Sequence, residues 1–300
     1  MRRLLLTGAS GFVGVNLIPL LRNASFEVKT MGLTREGDYR LDLSTTVPRL
    51  QENFDVVLHA AGKVHTVPKS EDENEIFFNI NYRGTMNLCR ALDKSGIPKA
   101  LVYISSVAVY GLDKGENITE NYPLNGTTPY ALSKIRAEQF LTDWCTYHNV
   151  KLSIIRPSVI AGPNPPGNLE AMINGIKTGK YFSIGGGNVR KSILMVQDIA
   201  RLLPALIENG GIYNVCDSDH PSFRQLELLI AKQLKKRPPS SISLPIARGM
   251  ALAGDLLGKR APFNSRRLLK MTESLTFSNE KAKKILGWEP LSVLENFIIQ

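Results

Sequence analysis

The chain is predicted to be an α/β protein, a Rossmann-type doubly wound parallel sheet with a smaller, mainly helical C-terminal substrate domain. Three observations predict it. Short apolar runs alternate with longer amphipathic stretches, the pattern of βα units. Three glycines, Gly8, Gly11 and Gly14, directly follow the first apolar run and open the first amphipathic one. After Arg156-Pro157 the alternation loosens into turn-rich segments and a basic helical C-terminus.

The first strand is expected over residues 3–6. Its apolar run stops at Thr7-Gly8, short of the roughly 7–15 residues that a signal peptide requires. A helix over residues 12–22 follows, and Pro19 inside it should kink or shorten it. Further strands are expected over 27–31, 56–59, 100–104 and 152–156, with helices near 73–94 and 130–149. The nearly continuous apolar runs around Val56-Val57-Leu58 and Leu101-Val102-Tyr103-Ile104 suit strands covered on both faces. Beyond Arg156, residues 162–168 and 185–187 read as turns, and 211–216 as a strand returning to the main sheet. A helix near 223–234 and a joint at Pro238-Pro239 precede the basic C-terminus. The expected division is a dinucleotide-binding domain of residues 1–161, joined by 190–217, and a substrate-binding domain of 162–189 and 218–300.

With 43% hydrophobic and 21% charged residues, the composition is that of an ordinary globular protein. Cys89, Cys145 and Cys216 are scattered without metal-ligand spacing and read as reduced thiols of a cytoplasmic protein. No stretch reaches the roughly 18 uninterrupted apolar residues of a transmembrane helix; the nearest, 242–258, contains Pro245, Arg248 and Asp255. The net charge of +10 comes from dispersed lysines and arginines without a basic-aromatic motif, which argues against a nucleic-acid partner. A phosphate-bearing substrate or an anionic membrane surface accounts for it as well. Within 242–270, Leu256, Leu257, Leu268 and Leu269 interleave with Lys259, Arg260, Arg266 and Arg267. That pattern reads as a helix packed over a substrate cleft, or as a peripheral membrane contact.

The glycine turn carries the first chemistry. Glycine lets the chain turn tightly, lets backbone approach a pyrophosphate, and lets helix pack on strand; the helix N-terminus offers free N–H groups to the phosphates. Gly8, Ser10, Gly11, Phe12, Val13 and Gly14 are therefore candidate dinucleotide contacts. Such folds place an acidic residue roughly 20 residues further on, for the ribose hydroxyls of NAD. Here the second strand ends in Met31-Gly32-Leu33-Thr34-Arg35, and Arg35 can pair with a 2′-phosphate, which favours NADP over NAD. Asp42, followed by Leu43, is a second candidate near the adenine.

Tyr130 and Lys134 stand four residues apart, on one face of a helix. A neighbouring ammonium, together with an oxidised nicotinamide, should lower the phenol's pKa and suit it to general acid–base work on a sugar hydroxyl. Ser105 and Ser106, at the C-terminal end of a predicted strand, supply hydroxyls to hold the substrate oxygen.

The chain now resembles the extended short-chain dehydrogenases/reductases of the NAD-dependent epimerase/dehydratase family. The resemblance rests on the glycine turn, His59-Ala60-Ala61-Gly62, Asn81 with Gly84-Thr85, Ser105-Ser106 with Val109-Tyr110-Gly111, Tyr130 with Lys134, Arg156-Pro157, and the 284–290 segment ending in Gly287-Trp288-Glu289-Pro290. It implies that Tyr130 is the acid/base, that Lys134 tunes it and binds the nicotinamide ribose, and that Ser106 rather than Ser105 orients the substrate. It further implies that Ala60, Ala61, Gly62, Asn81 and Pro157 line the cofactor, while His59 supports packing. Family members commonly act on nucleotide-diphosphate sugars and often form homodimers, here through the helices bearing Asn81 to Lys94 and Tyr130 to Asn149. By the same resemblance Asn168 and Leu169 cap the diphosphate, with Arg190 and Lys191 as its basic element and Arg266 or Arg267 as a second contact.

One departure bears on the reaction. The family's 4,6-dehydratases carry an Asp-Glu pair just after the serine, where this chain has Val107-Ala108. What remains is reduction of a 4-keto-sugar, favoured by the lack of an acid within Met31 to Arg35 at the end of the second strand, or C4 epimerisation of a UDP-N-acetylhexosamine type of substrate with tightly held NAD. The chain is also similar to the subgroup that serves polysaccharide and cell-surface glycan synthesis. A catalytically silent NAD(P)-binding regulator is the remaining reading; such proteins commonly lose the tyrosine or lysine, and both are present.

Overall fold

A computed structural model describes residues 1–24, 26–34, 37–64, 70–258 and 263–299. Successive side chains of a strand point to opposite faces, so an uninterrupted apolar run needs a core on each side. In β1 (Arg2–Thr7), Leu4 and Leu6 enter one core and Leu5 the other, all three fully buried. The same alternation holds in β4 (Val56–His59), with Val56 and Leu58 opposite Val57, and in β5 (Ala100–Ile104), with Val102 opposite Leu101 and Tyr103.

The remaining strands are β2 (Phe26–Gly32), β3 (Tyr39–Arg40), β6 (Gly115–Ile118), β7 (Lys151–Pro157), β8 (Val159–Ala161), β9 (Ser183–Ile184), β10 (Ile193–Met195), β11 (Gly211–Val215), β12 (Ser241–Ile242) and β13 (Leu275–Phe277). Seven form one sheet in the order β3-β2-β1-β4-β5-β7-β11, and every pair in it is parallel. Chain direction across the sheet reverses between β1 and β4. In open α/β sheets, ligands bind in the crevice beyond the strand ends at such a point.

The helices are α1 (Phe12–Asn23), α2 (Glu71–Phe78), α3 (Gly84–Ser95), α4 (Pro129–His148), α5 (Asn168–Lys177), α6 (Val196–Asn209), α7 (Phe223–Gln233), α8 (Leu244–Leu257), α9 (Ser265–Thr272), α10 (Glu280–Leu286) and α11 (Val293–Asn296). Leu17 and Leu21 of α1 and the apolar face of α6 cover one side of the sheet. Leu88 and Leu92 of α3, with Ala137 and Leu141 of α4, cover the other. α4 starts cleanly because Thr128 accepts the Ala131 N–H at 3.2 Å and Pro129 occupies the first turn; it stops at Asn149, left-handed at φ 56°.

Several details depart from the sequence expectation. Pro19 neither shortens nor ends α1, which runs on to Asn23. The carbonyl that loses its partner belongs to Val15, a residue 58% exposed, so water can serve it. The single helix expected over 73–94 is two helices, α2 and α3, joined by a π-helical turn at Asn79–Arg83. Outside the main sheet, three parallel pairs, β8 with β10, β9 with β12 and β6 with β13, organise the turn-rich half. Residues 280–288 fall within the stretch expected to be substrate-binding, yet Ala282, Leu286 and Trp288 pack into the main-sheet core beside α6. No helix among the described residues is long and apolar enough to cross a membrane.

Candidate active site

The glycine turn sits at the C-terminal end of β1. Gly8 adopts φ +70°, and a Cβ there would stand 2.6 Å from the Ala61 amide and 2.7 Å from the Ala60 carbonyl. Only glycine lets β1 and the loop after β4 come this close. A Cβ on Gly14 would collide with the Gly8 carbonyl oxygen and lie 2.6 Å from Ala9 Cα, so Gly14 is what lets α1 pack on the turn. Gly11 differs: its Cβ would meet just the Gly8 oxygen, at 3.3 Å. It is also the N-cap of α1 and places no side chain over the first-turn amides of Phe12 and Val13. Open N–H groups at a helix start, with room above them, fit a dinucleotide's pyrophosphate. Ser10 lies against Gly32 at the end of β2, and a cleft lined by Ser10, Gly11, Phe12, Asn16, Pro163 and Asn164 opens beside the turn.

Arg35, assigned to the 2′-phosphate, lies outside the described residues. Asp38, three residues further on, is turned back onto β2. Its carboxylate accepts the Thr30 N–H and hydroxyl at 2.9 Å each and pairs with Lys29 at 3.3 Å. Asp42 is exposed and its Oδ1 accepts the Ser44 N–H at 2.8 Å. Leu43 is buried in the core, with its carbonyl held by Asn87, so its side chain is unavailable to a cofactor.

The end of β4 is held by polar bonds that the sequence reading did not resolve. His59 is fully buried between the hydroxyls of Thr7, 2.6 Å from Nδ1, and Thr85, 2.8 Å from Nε2. Burial, and then the Lys134 charge, push its pKa down to about 3, so it is a neutral support at physiological pH. The π-helical turn brings Asn81 inward. Its Oδ1 accepts the Lys63 N–H at 2.7 Å, and its Nδ2 donates to Ser133 Oγ at 2.8 Å. Ser133 in turn donates to the Tyr130 carbonyl at 2.8 Å. Asn81 thus ties the loop after β4 to the helix turn that carries Tyr130.

Around the next strand end, Ser106, Tyr130 and Lys134 come together. Ser106 Oγ accepts the Ala108 N–H at 3.1 Å, and the Tyr130 phenol lies near enough to feel that hydroxyl. Ser105 is occupied elsewhere, its buried hydroxyl bonded to Glu138. Lys134 Nζ donates to the Ile104 carbonyl at 2.8 Å, lies 4.6 Å from the Tyr103 ring centroid, and would be 3.1 Å from a Cβ on Gly62. Burial pushes its pKa down to about 7, against the opposing pull of Glu138. The expected lowering of the tyrosine's pKa rested on the lysine together with an oxidised nicotinamide, and in the protein alone Lys134 is not among the influences on the phenol. Burial raises the phenol's pKa above its usual value, and the one opposing influence is the neighbouring Ser106 hydroxyl. The lysine's charge is directed at a carbonyl and a ring face, and is itself weakened by burial.

Behind this cluster lies a buried chain of polar groups. Glu138, one turn beyond Lys134 on α4, takes Arg156 in a two-point ion pair at 2.6 and 3.1 Å. Arg156 also donates to Tyr110 Oη at 3.1 Å, and that hydroxyl donates to Asn214 at 2.6 Å. The chain joins β5, α4, β7 and β11 beneath the site. The spacing of Tyr130, Lys134 and Glu138 on one helix face was its available sequence signal. Pro157 is buried at the end of β7.

The candidate diphosphate residues lie in the turn-rich half that follows β7. Asn168 is exposed at the start of α5, whose N-cap, Gly167, offers no side chain; Leu169 is buried in the core of the smaller half. Arg190 donates to the Asp219 carbonyl at 3.0 Å, and Lys191 Nζ to the Glu273 carbonyl at 2.8 Å. Burial brings the Lys191 pKa down to about 8. Both cations are thus engaged by backbone carbonyls of later segments of the chain.

The sequence pattern of the NAD dependent epimerase/dehydratase family matches residues 4–216. The chain is 31% identical to N-acetyl-alpha-D-glucosaminyl-diphospho-ditrans,octacis-undecaprenol 4-epimerase of Escherichia coli O157:H7, over 92% of this chain and 87% of that one. It is 29% identical to the GDP-6-deoxy-D-mannose reductase of Pseudomonas aeruginosa, over 77% of this chain and 79% of the other. Among solved structures it resembles RMD from Pseudomonas aeruginosa complexed with NADPH, with a TM-score of 0.75 and 25% identity over 99% of this chain and 96% of that one.

Proposed function

Because the chain belongs to the NAD-dependent epimerase/dehydratase family, we propose that it is an NAD(P)-dependent oxidoreductase acting at C4 of a nucleotide-activated sugar, in the first place as a 4-keto-sugar reductase in glycan precursor synthesis. The observation that carries this reading is the meeting of Ser106, Tyr130 and Lys134 at the strand ends beside the glycine turn. The uncapped start of α1 and the open face of Gly11 fit the pyrophosphate of the dinucleotide. When bound, that group supplies or accepts the hydride.

The chain's own residues handle the proton and the geometry. Ser106 holds the sugar's C4 oxygen, and Tyr130 Oη gives that oxygen its proton in reduction or takes it in oxidation. A phenol that burial keeps protonated suits the reductive direction. Lys134 orients the ribose side of the site. Val107 and Ala108, which follow Ser106, bring no carboxylic acid for eliminating water, and the buried carboxylate of Glu138 is committed to Arg156 and Ser105. The exposed start of α5 and the Arg190–Lys191 segment are the proposed wall for the diphosphate. Met31 to Arg35, at the end of β2, contain no acid and include Arg35, which favours NADP.

Tyr130→Phe tests the assignment. We expect turnover to fall by about 10²- to 10⁴-fold with dinucleotide affinity retained; a variant with near-normal rates would remove Tyr130 from this role. Titration of NAD and NADPH into wild type and Arg35→Ala tests the cofactor. A selective loss of NADPH affinity supports the 2′-phosphate contact, and equal affinities remove it.

A second reading is a nucleotide-sugar 4-epimerase, favoured by the 31% identity to a 4-epimerase. An epimerase must hold its dinucleotide through both half-reactions. Mass spectrometry of the purified protein therefore separates the two, retained dinucleotide pointing to the epimerase. The proposed assembly is a homodimer through α3 and α4, checked by sedimentation equilibrium.

A further inference from the structure

Helix α8 is unusual in what it leaves in water. Of its 14 residues, Ala247, Ala251 and Gly254 alone are buried, a narrow stripe that packs with Ile184 and with Leu268 of α9. Opposite that stripe stand Ile246 at 59% exposure, Met250 at 51%, Leu252 at 63%, Leu256 at 91% and Leu257 at 71%. At roughly 100° per residue, the positions from Leu252 round to Met250 form one arc of about 160°. Within it lie Pro245, Leu256, Gly249, Ala253, Ile246 and Leu257, and no charge. No other element among the described residues concentrates exposed large apolar side chains in this way. Burying such an arc is worth far more than leaving it hydrated, and monomers rarely expose contiguous apolar patches of this kind without a partner.

The charges around the arc identify the partner. Residues 244–272 contain six Lys and Arg, namely Arg248, Lys259, Arg260, Arg266, Arg267 and Lys270, against one acid, Asp255. That acid is exposed and engaged by its neighbour, accepting the Ser265 N–H at 3.1 Å and the Ser265 hydroxyl at the start of α9. Arg248 borders the arc, and Arg266, Arg267 and Lys270 are exposed on the adjoining helix. A protein partner would have to match both an apolar strip and a dense positive rim. An anionic lipid surface supplies acyl chains for the first and phosphate headgroups for the second.

We propose that α8 and α9 form an interfacial docking element, which lays the apolar arc of α8 into the headgroup boundary of an anionic bilayer. The element adjoins the candidate site. Lys270 lies 3.9 Å from Asp113, in the loop that follows the Ser106 turn, and Lys191 is bonded to the Glu273 carbonyl at the end of α9. Docking therefore holds the substrate-facing rim beside the membrane, within reach of sugar diphosphates carried or consumed there. The docking claim stands whether the chemistry is reduction or epimerisation.

Co-sedimentation of the full chain with phosphatidylcholine vesicles, with and without phosphatidylglycerol, tests it. Wild type should bind the phosphatidylglycerol vesicles and be released by high salt. Leu252→Asp/Leu256→Asp, at two positions that face solvent, should lose binding by more than tenfold. Arg248→Glu, at the border of the arc, should weaken it by about fivefold or more. A native melting curve for each variant, and unchanged turnover of a soluble nucleotide sugar where wild type has activity, show that folding and chemistry are intact. Wild type that ignores phosphatidylglycerol at low salt, or a double variant that sediments like wild type, overturns the proposal. So does a double variant whose one change is the loss of a dimer in sedimentation equilibrium, because the arc would then bind a second copy of this chain.

Discussion

Replacing Glu138 by Gln removes one charge from a buried ion pair and leaves its shape. The side chains of Glu138 and Arg156 are 4% and 3% exposed, and two hydrogen bonds at 2.6 and 3.1 Å join them. Burial works against the charged Arg156, and the Glu138 bonds are what hold its pKa high. Without the carboxylate the guanidinium keeps the Tyr110 hydroxyl and ring, neither of which carries a compensating charge. Breaking a buried pair in this way costs about 3–5 kcal/mol, a large share of the roughly 5–15 kcal/mol that holds a domain folded. At about 2.1 cal/mol/K per residue, a chain of 300 residues has an unfolding entropy near 0.6 kcal/mol/K. The melting temperature should therefore fall by about 5–8 °C. Glu138→Gln/Arg156→Met, which removes both charges, should recover most of that loss, since buried pairs often break even against apolar replacements. Urea and thermal unfolding measure both variants. A single variant within about 2 °C of wild type, or a double variant as unstable as the single one, refutes the account. A second readout concerns Lys134. Glu138 works against burial to keep that lysine's pKa up near 7, so its loss lets the pKa fall further. If the ammonium form is the working form, the alkaline limb of the pH–rate profile moves to lower pH in Glu138→Gln.

The two glycines of the turn should respond in opposite ways. Gly14→Ala forces a methyl onto the backbone of Gly8 and Ala9, costing about 1–3 kcal/mol or more in a thermal melt. Gly11→Ala meets one oxygen at 3.3 Å, so it should melt like wild type yet lose NADPH affinity in calorimetric titration, because its methyl enters the phosphate space; unchanged affinity would place the pyrophosphate elsewhere. His59, held neutral down to about pH 3, should show no ring-proton titration by NMR between pH 8 and 5. As pH drops below the ordinary histidine value of 6.5, the unfolded chain takes up a proton that the folded chain refuses. That stability is present above pH 6.5 and is lost towards pH 3 by up to about 1.4 kcal/mol per pH unit, a slope that His59→Gln should remove.

Features that depend on local pattern were legible in the sequence, and features that depend on a distant partner were not. The glycine turn, strands β1, β2, β4, β5 and β7, and the helix bearing Tyr130 and Lys134 follow from periodicity, breakers and caps within a few residues of each other. Asn81 shows the limit. Its type and approximate helix were readable, but its inward position comes from a π-helical turn that no local propensity marks, stabilised by bonds to Lys63 and Ser133. Glu138 is a sharper case. On α4 it repeats the spacing of Tyr130 and Lys134, and from sequence it could equally have been a solvated glutamate. Its meaning comes from Arg156 at the end of β7, and that pairing requires the sheet order β5-β7 to exist first. The same reasoning covers the tyrosine's acidity. Sequence places a cation four residues away, but how far that cation acts depends on burial and on where its Nζ points. Here Nζ is turned to the Ile104 carbonyl, and burial is the largest influence on the Tyr130 phenol.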